Sequence, residues 1–142
     1  MNEPARYGWM RGEGRPPPYL GLLGLALSTA SDGEAVVLWT PPPTLLNNAG
    51  FVQGGFIAAA LDLASAVAAA TILDHGGSSA SVRLTVEYFR PVLPDGGVLR
   101  VSGTVVQRSR KWTTVDASLS NAGGKLLARA QHLISVTPAS RD

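Results

Sequence analysis

The chain contains no cysteine, which removes disulfides, thiolate nucleophiles and Cys-based zinc sites in one step. That composition is compatible with a reducing compartment, and a cytoplasmic location is the expectation. Histidine is almost as scarce: His75 and His132 are the only two, far apart in sequence, and a metal site built on histidine is not expected. Both are read as structural or surface residues. Charge of one sign is also lacking, since 12 Lys and Arg face 10 Asp and Glu and leave a dispersed net charge of +2. Neither a nucleic-acid surface nor a membrane surface follows from such a balance, and the basic residues lack the density and aromatic interleaving that single-stranded nucleic acid needs. Residues 1–18 carry Arg6, Arg11, Arg15 and Pro16-Pro17-Pro18 but no apolar run of the secretory kind, and are read as an N-terminal arm ahead of one domain over 19–142. Carboxylates, hydroxyls, amides and backbone groups are left for any chemistry.

What is present is enough apolar material for a core, 45% of 142 residues. Leu23, Leu25 and Leu27 alternate within 20–29, Ser31-Asp32-Gly33 offers turn chemistry, and 35–40 is β-rich, which together predict a hairpin. Pro41-Pro42-Pro43 ends its second strand because prolines cannot donate to a ladder. Residues 44–50 read as a loop. From Gly55 to about Leu73 good helix formers dominate, and the apolar residues from Ile57 to Ala70 go all round the cylinder. Such a helix is enclosed rather than laid on a surface, and Asp62, Ser65 and Thr71 inside it argue against a membrane span. Asp74-His75-Gly76-Gly77 terminates it. Beyond it the pattern is all β. Val82, Leu84, Val86 and Tyr88 alternate with Arg83, Thr85, Glu87 and Phe89, and strands follow over 98–107, 112–120 and 126–136. Two strands, one long helix and about four strands predict an α+β layer pair, a helix on an antiparallel sheet.

The informative segment is Asn47-Asn48-Ala49-Gly50-Phe51-Val52-Gln53-Gly54-Gly55, leading into the helix that holds Asp62. Paired glycines at a helix start let a ligand approach the backbone, where unpaired N–H groups and the positive end of the dipole favour an oxygen gaining negative charge. A carboxylate in an otherwise apolar helix is costly unless paired or open to a cavity. Each feature alone has a bland explanation, a locally bonded acid and close helix packing; together they gather charge-accepting and charge-stabilising groups on one helix. Asp62 nevertheless lies about 12 Å beyond Gly54 along the axis, too far for both to act on one carbonyl within one chain. In a two-fold dimer the Gly54 end of one helix can face Asp62 of its mate, giving two equivalent sites.

The run from Asn47 to Asp62, the strand Ser81-Val82-Arg83-Leu84-Thr85-Val86-Glu87-Tyr88-Phe89-Arg90-Pro91, and Gly123-Gly124-Lys125-Leu126-Leu127-Ala128 resemble the phenylacetate-pathway-type (PaaI-like) branch of the hotdog acyl-CoA thioesterases, within the 4-hydroxybenzoyl-CoA thioesterase superfamily. The likeness covers residues 20–136. It implies the hotdog fold, a curved antiparallel sheet of five to six strands wrapped around a central helix. It also implies a homodimer or homotetramer with active sites at the dimer interface, and acyl-CoA as substrate with no further cofactor and no metal. Carried onto this chain, the Gly54 N–H and Asn47 would polarise the thioester carbonyl, Asp62 of the other subunit would act as nucleophile or general base, and Ser81 would place the water or the carboxylate. Gln53 departs from the pattern, in which a His precedes the paired glycines; Gln can hydrogen-bond but not titrate. The resemblance further makes Arg90, Arg108, Arg110 and Lys111 contacts for the nucleotide phosphates of coenzyme A, while a merely solvated turn remains the other reading of the last three.

Two functions therefore stand open: thioester hydrolysis, and non-catalytic acyl-CoA binding, for which Gln53 is the argument. A hydratase of the same fold would want a His paired with an acid near the helix, and neither His is expected there. Trp112, Phe89 and Tyr88 are read as core or interface aromatics rather than ligand stackers. The acyl group could be aryl, short or medium chain.

Overall fold

A helix that is apolar nearly all round needs partners nearly all round, and the sheet supplies them except along one half-buried stripe, Ala58, Asp62, Ala66 and Ala70. The computed structural model describes residues 7–74 and 76–139. Its elements run α1 (Pro18–Leu23), β1 (Leu25–Ser31), β2 (Glu34–Trp39), α2 (Gly54–Ala70), β3 (Ser78–Tyr88), β4 (Leu99–Arg108), β5 (Trp112–Ser120) and β6 (Leu126–Thr137), with short 3₁₀ turns at Gly8–Arg11 and Pro43–Leu45. All strand pairs are antiparallel, in the order β1-β2-β4-β5-β6-β3, so β1 and β3 are the outer strands. A flat sheet of six strands is about 24 Å across, against about 10 Å for a helix. Because α2 touches all six strands, the sheet must curl around it. This is the expected hotdog architecture. On α2, Ile57, Leu61, Ala64, Val67 and Ala68 are buried against Val37, Trp39, Val101, Val115 and Leu119 of the strands.

Three local expectations change. Residues 20–23 are not strand: Pro18 opens a helical turn with its φ already set, and Gly24 closes it in the left-handed region at φ 79°. Leu20 and Leu23 still reach the core, and the Leu23 carbonyl accepts the indole N–H of buried Trp39 at 2.8 Å. The central helix stops at Ala70 rather than Leu73, because Thr71 takes over the chain end. Its hydroxyl donates to the Ala68 carbonyl and accepts the Gly33 N–H, both at 2.7 Å, tying the helix end to the β1–β2 turn. Of the two readings of Tyr88, Phe89 and Trp112, core or interface, the core one does not hold, since each is about half exposed in the single chain. At the N-terminal side, Gly8 is buried and Trp9 and Met10 pack partly buried against the core. No helix among the described residues is long and apolar enough to cross a membrane.

Helix and sheet approach closely at Gly103 on β4. A Cβ there would lie 2.5 Å from the Ala64 carbonyl oxygen and 3.2 Å from the Ser65 nitrogen, both backbone atoms that no side-chain rotation can move aside. Gly103→Ala is therefore expected to cost about 1–3 kcal/mol by overpacking. Chemical denaturation should show a lowered midpoint, and an unchanged midpoint would mean that helix and sheet are not in the contact described.

Candidate active site

The loop before α2 is organised by its own amides. Asn47 Oδ1 accepts the N–H of Ala49 at 2.9 Å and of Phe51 at 3.1 Å, which fixes the orientation of the carboxamide and leaves Nδ2 as the outward donor. Gln53 is the N-cap of α2, and its Oε1 accepts the Gly55 N–H at 2.7 Å, leaving Nε2 outward in the same way. The Gln53 carbonyl takes the N–H of Phe56 and of Ile57, while the N–H of Gly54 bonds to none of the described residues. Asn47 and Gly54 line a cavity of about 320 Å³ together with Phe51, Ile57, Tyr88 and Arg90. One end of the helix thus gathers hydrogen-bond donors and one arginine, with no carboxylate in the lining.

The acid lies elsewhere. Asp62 is half exposed, on the side of α2 that faces the start of β3 and the middle of β6. Its Oδ1 accepts the Ser81 hydroxyl at 3.3 Å and is 3.5 Å from His132 Nε2, and the same Nε2 is 2.8 Å from Ser81 Oγ. Three side chains from three elements meet in one cluster. Ser81 reaches it through a β-bulge. On β6, Ala128, Ala130, His132 and Ile134 face inward, and on β3 their partners are Tyr88, Val86, Leu84 and, past the irregularity between Ser81 and Arg83, Ser81. Without the extra residue Val82 would take the inward place; instead Val82 is exposed and Ser81 is turned toward the acid. Along β3 the strict alternation expected from the sequence fails here.

His132 was read as structural or surface, with neither His beside an acid near the helix. The structure corrects this: His132 is fully buried and adjacent to Asp62. Its sequence signal is a polar residue in the apolar inward row of β6, which alternation reveals without naming a partner. His75 lies outside the described residues. Burial lowers the His132 imidazole below its ordinary value near 6.5, and the Asp62 charge opposes that shift. His132 Nδ1 is buried without a partner among the described residues, so a proton there would go unsatisfied. The neutral ring accordingly carries its proton on Nε2 and donates to Ser81, whose hydroxyl is then committed to Asp62. Tyr19 on α1 also faces this region, a residue the sequence did not single out: burial, and secondarily the Asp62 charge, raise its phenol above the usual range.

The basic candidates separate. Arg90 shares the cavity with Gly54, whereas Arg108 and Arg110 line another, larger space beside Asp74 and Thr137, past the far end of α2. Arg108 is paired with Asp74 at 3.4 Å, both exposed. Lys111 contributes its carbonyl to the Val136 N–H and lines neither cavity. No group of three His, Asp or Glu that could hold a metal occurs among the described residues.

Comparison with known proteins fits this geometry. The family model of the thioesterase superfamily matches residues 49–128, from the donor loop into the start of β6. A phenylacetic acid degradation-related protein of Ralstonia eutropha JMP134 has 30% identity and a TM-score of 0.82, over 94% of this chain and 99% of that one. AziG of S. sahachiroi has 26% identity and a TM-score of 0.82, over 85% and 97%. The smu.793 protein of Streptococcus mutans UA159, bound to acetyl-CoA, has 21% identity and a TM-score of 0.74, over 82% and 91%, a likeness of fold alone. No curated protein matches the chain.

The buried imidazole makes stability depend on pH. Because the folded state holds His132 below the value it has when unfolded, the unfolded chain binds the proton first on acidification. This contribution is complete above about pH 6.5 and is lost as pH falls from there toward the lower folded value. Thermal unfolding followed from pH 7.5 to 5 should show Tm dropping below pH 6.5, and His132→Asn should flatten that segment. Equal slopes in the two proteins would rule the assignment out.

Proposed function

The chain belongs to the thioesterase superfamily, and from that premise we propose that it hydrolyses an acyl-CoA thioester to free acid and coenzyme A. The observation that carries the reading is the division of the helix into a donor end without a carboxylate and a carboxylate cluster without spare donors. The substrate carbonyl sits at the donor end, with its oxygen toward the Gly54 N–H and Asn47 Nδ2. As the carbon turns tetrahedral the negative charge grows on that oxygen, and donors already fixed by their own bonds stabilise it without reorganising. Asp62 deprotonates the attacking water, or attacks the carbonyl carbon itself to give a mixed anhydride that water then hydrolyses to the free acid, regenerating Asp62. Ser81, held by His132, keeps the carboxylate and the water in place. The thiolate of coenzyme A leaves, and no metal or further cofactor takes part.

Gly54 and Asp62 of one chain stand too far apart to share a carbonyl, so the working site joins the donor end of one protomer to the acid of its partner in a homodimer, or in a homotetramer of two such dimers. Arg90, beside the donor end, is the first choice for an anionic part of coenzyme A; Arg108, Arg110 and Lys111 would meet phosphates only where the ligand extends past the far end of a helix. A cytoplasmic, soluble enzyme with an N-terminal arm over 1–18 fits this role. Binding without turnover is the second reading, and Gln53 in the place of a titratable His favours it.

Thiol release from phenylacetyl-, butyryl- and octanoyl-CoA tests both readings. Asp62→Asn should lower kcat by about 10²–10⁴-fold while circular dichroism stays unchanged. Full turnover in that variant would sink the mechanism, and calorimetric binding of all three ligands with no thiol release by the wild type would select the binder. Co-expressing Asp62→Asn with Asn47→Ala should restore roughly a quarter of wild-type activity, because half of randomly assembled dimers are mixed and each has one intact site. No restoration would place the site within one chain.

A further inference from the structure

Gly54 and Gly55 are consecutive glycines in the first turn of α2, where backbone restraint is weakest. An oxyanion donor needs the opposite, an N–H that is fixed before the charge arrives. The restraint comes from the end of β3. The Tyr88 hydroxyl donates to the Gly54 carbonyl at 2.7 Å, and its ring lies where a Gly54 Cβ would make contact at 3.4 Å. On the same peptide, the Gly55 N–H donates to Gln53 Oε1 at 2.7 Å. Tyr88 hydroxyl, the Gly54–Gly55 peptide and the Gln53 carboxamide thus form one chain of hydrogen bonds, all pointing the same way and each polarising the next.

We propose that Tyr88 is a positioning residue of the reaction: with Gln53 it clamps the Gly54–Gly55 peptide from both ends and so fixes the Gly54 Cα, while the preceding Gln53–Gly54 peptide is held at its carbonyl by the Phe56 and Ile57 N–H groups, so that the Gly54 N–H it carries and Gln53 Nε2 face the thioester carbonyl as fixed donors. The inference rests on the thioesterase reading and deepens it. It also gives Gln53 a role that needs no titration. One end of the carboxamide closes the helix and the other points outward, and because neither end ionises, the donor set keeps its polarity across the working pH range. Gly55 belongs to the device as well, since a Cβ there would lie 2.8 Å from Gln53 Oε1. That contact is with the tip of a flexible side chain, so a methyl group would dislodge the carboxamide and leave the backbone where it is.

Two variants of the full-length protein address the clamp. Tyr88→Phe keeps the ring on Gly54 and removes the bond to its carbonyl; Gly55→Ala displaces Gln53 from the other side. Each should lower kcat on the best of the three acyl-CoA substrates by about tenfold with KM changed less than about twofold, because the lost alignment matters most when charge develops. Combined, the two losses should be less than multiplicative, since both act on one peptide. A ketone analogue, with CH₂ in place of the thioester sulfur, supplies a readout that general loosening would not move. Its carbonyl stretch should shift to lower frequency on binding the wild type, and by less on binding either variant. Wild-type kcat and an undiminished shift in Tyr88→Phe would overturn the clamp; if that variant fails to fold, the same result in Gly55→Ala would do so. A wild type that releases no thiol would bring down the functional reading and the clamp with it, a result distinct from an active wild type with unaffected variants.

Discussion

Enclosure of α2 is the constraint from which the rest follows. A helix packed by a curled sheet around all but one half-buried stripe can carry a polar group only where the wall ends or where the wall offers a partner. Asp62 has both: its carboxylate is half open to solvent, and the wall beside it presents Ser81 and His132. Ser65, one turn further along and fully buried, solves the same problem by returning its hydroxyl to the Leu61 carbonyl at 2.7 Å. The contrast separates the two polar residues of the helix. One has its bond inside its own backbone and is silent; the other depends on side chains from two strands and stays accessible.

The donor end obeys a different economy. Its side-chain amides, Asn47 and Gln53, are neutral, and each has its oxygen already bonded to a backbone N–H, so their orientation is settled before any ligand arrives. Titratable groups collect at the other half-site, where burial keeps the imidazole neutral despite the neighbouring carboxylate. Charge change and charge reception are thereby kept apart within one protomer.

Much of the architecture was legible in the residues. The nearly all-round apolar character of 57–70 points to a helix held inside the sheet, and the turn residues bound strands that the structure reproduces within a residue or two, apart from a later start to β1 and an earlier start to β3. The misses have physical causes. Alternation cannot register a bulge, because Ser81 and Val82 differ only in which of them pairs across to β6. Nothing local in the sequence marks His132, because its partners lie 51 and 70 positions away, at Ser81 and Asp62, and no local spacing connects them. At Pro18–Leu23 the alternating leucines suit a strand as well as a helical turn, and Gly24 in the left-handed region decided for the turn. Tyr88 was weighed as a packing aromatic, and its hydroxyl is what engages the helix.

The strand β3 carries both anchors. Near one end Ser81 holds the acid of the helix, and its last residue, Tyr88, holds the helix tip, so a single outer strand spans the two half-sites and pairs with only one described neighbour, β6. It behaves as a calliper laid along the helix. Sliding it by two positions would keep its inward row inward yet draw both jaws off their marks at once, and changing the count of residues between them would open one jaw while the other stayed shut. The bulge beside Ser81 is the adjusting screw of that tool: it brings one jaw to bear without disturbing the six-residue stretch that leads to the other.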